Sequence, residues 1–96
     1  MSLTLADARE LGRSLLDAHG LADWSVRLCR SKRTLGRCVY DARVIELSVH
    51  LVQRNGLEAV RDTILHEIAH ALTPGHGHDR AWREKLAELV EAACFG

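Results

Sequence analysis

Residues 64–82 read I-L-H-E-I-A-H-A-L-T-P-G-H-G-H-D-R-A-W, and the reading of this stretch decides the fold. Leu57, Val60, Ile64, Ile68 and Leu72 recur at three and four residues, which is helical spacing. The pattern predicts a helix from Asn55 to Thr73, with Asn55 as N-cap, Glu58 completing a capping box and Pro74-Gly75 as the stop. A helix turns about 100° per residue, so His70 lies within about 40° of His66, one turn on. Two imidazoles so placed can each give a nitrogen to one zinc ion at about 2.0–2.1 Å. Glu67, next to the first histidine, need not be a ligand. It is suited to hold a water at the metal and take its proton, the metal having lowered that water's pKa to about 7. Chance does not account well for the pattern, because four of the six histidines fall within residues 66–78.

A catalytic zinc site takes three protein ligands and keeps one position open. The residues offer three sources for the third. His76 has the spacing of H-E-x-x-H-x-x-G-x-x-H, but Thr73 stands where that pattern wants Gly and no Met follows. A Glu on the next helix, Glu88 or Glu91, would make a different arrangement. His78 stands at the mouth of the last helix, four residues before Trp82.

Outward from this centre the chain predicts further elements. Thr4 to His19 reads as a helix through Leu5, Ala8, Leu11, Leu15 and Ala18, capped by Thr4 with Asp7 and stopped at Gly20. Trp24–Cys29, Arg37–Tyr40 and Val44–Ser48 read as three short strands, with a loop over Ser31–Gly36 and a turn at Asp41-Ala42. Cys29 and Cys38 are expected as small core residues facing each other across the first hairpin. Asp79 can cap a last helix whose buried face is Trp82, Leu86, Leu89, Val90 and Ala93. The expected fold is α+β: an N-terminal helix, a small three-stranded, mostly antiparallel sheet, an active-site helix and a C-terminal helix.

With 96 residues, 47 % of them apolar, the chain suits one domain over residues 1–96. It has no repeat and no apolar run long enough for a membrane. The N-terminus lacks a signal-peptide layout, and three cysteines without a C-x-x-C pair do not make a disulfide framework, so a cytoplasmic setting is expected. Net charge is zero, yet Arg27, Arg30, Lys32, Arg33, Arg37 and Arg43 lie in one segment with Asp41 as the sole acid between them. Such a segment is either a solvated hairpin or a contact for an anionic partner.

The stretch from Ile64 to Trp82 resembles the SprT-like (Spartan-type) metalloproteases, whose pattern is H-E-x-x-H, a short Gly-containing loop, then His followed four residues later by Phe or Trp. Leu35–Tyr40 followed by Ile45–Ser48 resembles the hairpin before that family's active helix, so the likeness runs over roughly Trp24 to Leu86. It implies a zincin-like fold and a zinc-dependent peptidase. His66, His70 and His78 would be the metal ligands, one zinc per chain, and Glu67 the general base. It also implies a protein or peptide substrate laid along a sheet edge from the segment Arg37–Ser48. Weak, salt-dependent single-stranded DNA binding through Arg27, Arg30, Lys32, Arg33 and Arg37 would go with it. The C-terminal zinc ribbon of fuller members is not expected in a chain with only Cys94 near its end. Two other functions remain open: a metal-dependent nucleic-acid hydrolase using the basic segment, and a non-catalytic module whose metal is closed by both His76 and His78.

Overall fold

The computed structural model describes residues 3–95, and side chains as far as residue 92. Its elements are α1 (Leu5–Ala18), β1 (Ser25–Cys29), β2 (Gly36–Val39), β3 (Val44–Ser48), α2 (Val49–Arg54), α3 (Leu57–Leu72) and α4 (Arg80–Phe95). None of the described helices is long and apolar enough to cross a membrane.

Helix α1 begins as expected. Thr4 Oγ1 accepts from Asp7 N at 3.0 Å while Thr4 N donates to Asp7 Oδ2 at 3.2 Å, closing the capping box. Gly20 follows the end with φ 76°. The buried face is Ala8, Gly12 and Leu16, flanked by Leu5, Leu11 and Leu15; Ala18 is exposed. Gly12 lets the helix lie directly on β1, since a Cβ there would stand 2.5 Å from Val26 Cγ2.

The sheet order is β1-β3-β2. β2 and β3 form an antiparallel hairpin, turned by Arg43 N donating to Tyr40 O, with Arg43 at φ 54°. β1 pairs with β3 in parallel, so the sheet has one pair of each kind. The order follows from burial. All five residues of Val44–Ser48 are buried, which suits a central strand, whereas Arg27 and Arg37 belong at edges where their heads reach water. The expectation that Cys29 and Cys38 face each other across a hairpin is therefore corrected: β3 runs between them, pairing Cys29 with Ser48 and Cys38 with Ile45. Both cysteines are only half-buried.

In register across the sheet lie Arg27, Glu46 and Arg37. Each guanidinium clamps one oxygen of the Glu46 carboxylate, at 2.8–2.9 Å and at 2.6–2.8 Å. Burial raises the Glu46 pKa, but the two arginines outweigh it and hold the carboxyl below its usual range. Arg43 pairs with Asp23. Three of the six cations expected in the basic segment are thus committed within the fold.

Two helix expectations change. Asn55 does not cap the active helix: the segment before it is its own short helix, α2, capped by Ser48, and Asn55 donates to Leu51 O at that helix's end. α3 starts after Gly56 without a side-chain cap. Leu57 consequently sits on an open first turn, 52 % exposed, and the buried stripe is Val60, Ile64, Leu65, Ile68 and Ala69. In α4, Trp82 and Leu89 are buried and Leu86 partly so, but Val90 faces solvent; Ala93 lies outside the described side chains. The core gathers between α1, α3 and the inner face of the sheet.

Candidate metal centre

His66 and His70 stand on the face of α3 that looks toward β2 and the start of α4. The third histidine arrives through a loop shaped by its own sequence. Thr73 ends α3, its hydroxyl donating to Ala69 O at 2.7 Å, and Gly75 takes φ 85°, the left-handed conformation a glycine adopts without strain. Asp79 then does two things. Its Oδ1 accepts from Trp82 N and caps α4, and its Oδ2 holds His76 Nδ1 at 2.6 Å. His76 is thereby turned to Asp79, and His78 turned to the helix.

The result is a three-histidine cluster. His70 Nε2 lies 3.1 Å and His66 Nε2 lies 3.3 Å from His78 Nε2, and one nitrogen from each residue falls within 4.8 Å of the others. Two donors bound tetrahedrally at 2.0–2.1 Å are about 3.3 Å apart, so the spacing fits a zinc-sized ion. Burial first, and neighbouring imidazoles second, lower the pKa of His66 and His70, favouring the neutral rings that ligate metal. Glu88 pairs with Lys85 and Glu91 is exposed, and neither joins the cluster.

Trp82 backs all three rings. It stacks on His70 with centroids 5.2 Å apart and planes at 23°, meets His66 and His78 edge-on, and donates Nε1–H to His66 O at 3.3 Å. Glu67 lies deeper, 7 % exposed, with Oε2 3.9 Å from His66 Nε2. Burial pushes its pKa up to about 7.

The opposite wall of the cleft is the edge strand β2. Gly36, Cys38 and Tyr40, with Arg37 between them, line an open hollow of about 360 Å³ together with the histidines and Glu67. A Cβ at Gly36 would come 3.0 Å from Thr63 Cγ2 and 3.4 Å from Glu67 Cγ, so glycine sets how closely β2 approaches α3. Tyr40 bridges the two, donating from its hydroxyl to His70 O at 2.7 Å. Burial, then the Glu67 charge, push the Cys38 thiol up to about 11 despite a hydrogen bond with Tyr40. Gly36, Cys38 and Tyr40 alternate along the strand and so share a face. That alternation was present in the sequence, but only the placement of β2 beside α3 gives it meaning.

The family model for SprT-like proteins matches residues 8–94. No curated protein matches the chain in sequence. Among solved structures it is similar to the metallopeptidase zymogen jannalysin of Methanocaldococcus jannaschii, with TM-score 0.73 and 14 % identity, over 93 % of this chain and 95 % of that one. It is also similar to the metallopeptidase zymogen abylysin of Pyrococcus abyssi, with TM-score 0.67 and 17 % identity, over 92 % of each. At these identities the likeness shows a shared fold, the zincin-like α+β arrangement expected from the sequence. By its family match over most of its length, the chain belongs to the SprT-like family.

Proposed function

We propose that residues 1–96 act as one minimal zincin-like domain, a zinc-dependent peptidase with His66, His70 and His78 as ligands of one zinc ion and Glu67 as general base. The observation that carries the reading is the convergence of three Nε2 atoms beside a buried carboxyl, facing a free sheet edge. The names of the structural neighbours, both metallopeptidase zymogens, agree with it. Zinc would supply Lewis acidity, making water acidic at neutral pH and polarising the scissile carbonyl.

The chain's own residues do the rest. In the β2–β3 ladder Ser48 N donates to Leu35 O, so Leu35, Arg37 and Val39 turn their backbone groups inward; by alternation Gly36 and Cys38 present theirs to the free edge. A substrate strand adding there lies between β2 and the histidines, held by its backbone and so with little side-chain demand. Glu67, buried beside the histidines, takes the proton of the attacking water and delivers it to the leaving amine. Trp82 and Tyr40 hold the His66 and His70 turns of α3 in place through their carbonyls.

The alternatives fit less well. A structural zinc would need a fourth protein ligand, and among the described residues the cluster gathers His66, His70 and His78 without His76. A nucleic-acid hydrolase would need cations on the cleft, yet Arg27 and Arg37 are clamped by Glu46. A weak single-stranded DNA contact would rest on Arg30, Lys32 and Arg33 for the same reason. Free cysteines suit the reducing, cytoplasmic setting expected from the sequence.

Chelation and replacement test the reading. A metal chelator should abolish cleavage of an unfolded protein, and added zinc should restore it. His78→Ala should lose about one zinc per chain and all cleavage, whereas His76→Ala should keep both. Cleavage that survives chelation, or a His78→Ala protein that retains its zinc, would overturn it.

A further inference from the structure

Past Gly36 the wall of the cleft continues as Leu35, whose carbonyl prolongs the β2–β3 ladder by accepting from Ser48 N at 2.8 Å. Leu35 is 58 % exposed and stands between two hollows. On one side it flanks His66 together with Asp62 and Thr63. On the other it borders a smaller hollow of about 140 Å³, shared with Lys32, His50, Arg54 and Asn55 over a floor of Ser48. That floor is firmly built. Ser48 is 1 % exposed, its hydroxyl donating to Ser31 O at 2.7 Å and accepting from His50 N at 3.1 Å. The bond ties the loop carrying Lys32 to the helix carrying Arg54.

The charges around this hollow differ from those on the sheet. Arg27, Arg37 and Arg43 each have a carboxylate partner. Lys32 and Arg54 have no ion-pair partner among the described residues, yet they border the same hollow. Two uncompensated cations beside an imidazole make a place for a carboxylate, while Ser48, its proton given to Ser31 O, shapes the floor without binding it. Its distance along the strand is also set. From Cys38, opposite the histidines, to Leu35 is three residues of extended chain, ~10 Å at ~3.3 Å per residue. A peptide strand added to the same edge advances at the same rise.

We propose that the hollow bordered by Lys32, His50 and Arg54 is an extended subsite of the cleft, selecting a substrate that carries an Asp or Glu side chain about three residues from the bond cut. The proposal rests on the peptidase reading and adds a substrate class to it. Asp62, on the flank nearer His66, repels a carboxylate placed closer in, so the preference belongs to one position and is not a general taste for acid. A phosphate backbone would meet the same cations. It would have no use for the exposed Gly36 and Cys38 backbone groups that lead a peptide there, so the peptide is favoured.

The test uses zinc-loaded protein and peptides blocked at both ends, identical except for Glu, Gln or Lys placed in turn at two to four residues on each side of the scissile bond. We expect kcat/KM for Glu to exceed that for Lys about tenfold at one position. In Lys32→Ala/Arg54→Ala the two should become nearly equal, while the Gln peptide changes by less than about twofold. Equal rates for Glu and Lys at every position, or a preference that survives in the double variant, would overturn the subsite. Fluorescence anisotropy with the same peptides reads the hollow without turnover. If no peptide is cleaved, the peptidase reading fails by itself. A Glu preference in binding that vanishes in the double variant would still support the carboxylate site, and its absence would overturn it. Binding of a single-stranded oligonucleotide that depends on Lys32 and Arg54, with no Glu preference among peptides, would assign the hollow to nucleic acid instead.

Discussion

Glu67 shows at one residue how a buried carboxyl is held at a cost to the fold. Its carboxyl is 7 % exposed, and burial lifts its pKa from 4.5 to about 7. Because the folded value lies above the unfolded one, the carboxyl costs nothing while protonated in both states. It destabilises the metal-free fold progressively as pH rises from about 4.5 through 7. At 1.36 kcal/mol per unit, the full penalty is about 3 kcal/mol above pH 7. Metal-free Glu67→Gln should therefore be more stable than the parent by that amount at pH 8, with the gap closing by about pH 4. His66 and His70, with lowered pKa values, act in the opposite sense, losing stability as pH falls in both proteins. Urea unfolding in chelator at a series of pH values measures the gap; a gap that does not change with pH would refute the assignment. That His66, His70 and His78 come together beside Glu67 was legible in the sequence, His66 and His70 by helical spacing and His78 by family pattern. The Tyr40 bond to His70 O and the Trp82 bond to His66 O were not. They join residues 30 and 16 apart, and nothing local encodes such pairings.

Elements were legible where their stabilisation is local. The Thr4–Asp7 capping box, the Gly20 stop, the turn before Arg43 and the Asp79 cap all form where expected, because each is decided within about four residues. The central strand and the Asn55 region were not legible. Pairing β1 with β3 depends on which strand can bear burial on both faces, a property of the assembled sheet. Asn55 has the chemistry of a cap but lies at the end of α2, where Leu51 O claims its side chain. Gly12 shows the same competition between local propensity and packing. In an open helix, Gly→Ala would stabilise by about 1 kcal/mol. Here the new methyl would stand 2.5 Å from Val26 Cγ2, and Val26 is branched at Cβ and fixed on a strand. Overpacking should win, so Gly12→Ala is expected to lower stability by about 1–2 kcal/mol in a denaturant titration. An increase would mean that α1 does not lie so close to β1.

At the scale of the whole molecule, equal numbers of acids and bases conceal a division of labour. The acids Glu46 and Asp23 hold three arginines to the sheet, and Asp79 holds His76 by its Nδ1. Lys32 and Arg54 are left to face a hollow along the line of the cleft. The helices and β2 together leave one open side at the histidines, bounded by a strand whose outer edge is unpaired among the described residues. The central claim is that this open side is a peptidase centre worked by Glu67. The measurement that tests it most directly compares parent and Glu67→Gln at matched zinc content, timing the cleavage of one unfolded protein. The account predicts that Glu67→Gln keeps about one zinc per chain and loses turnover by at least about a hundredfold, since its amide cannot take a proton. Cleavage by zinc-loaded Glu67→Gln at the parent's rate would contradict it.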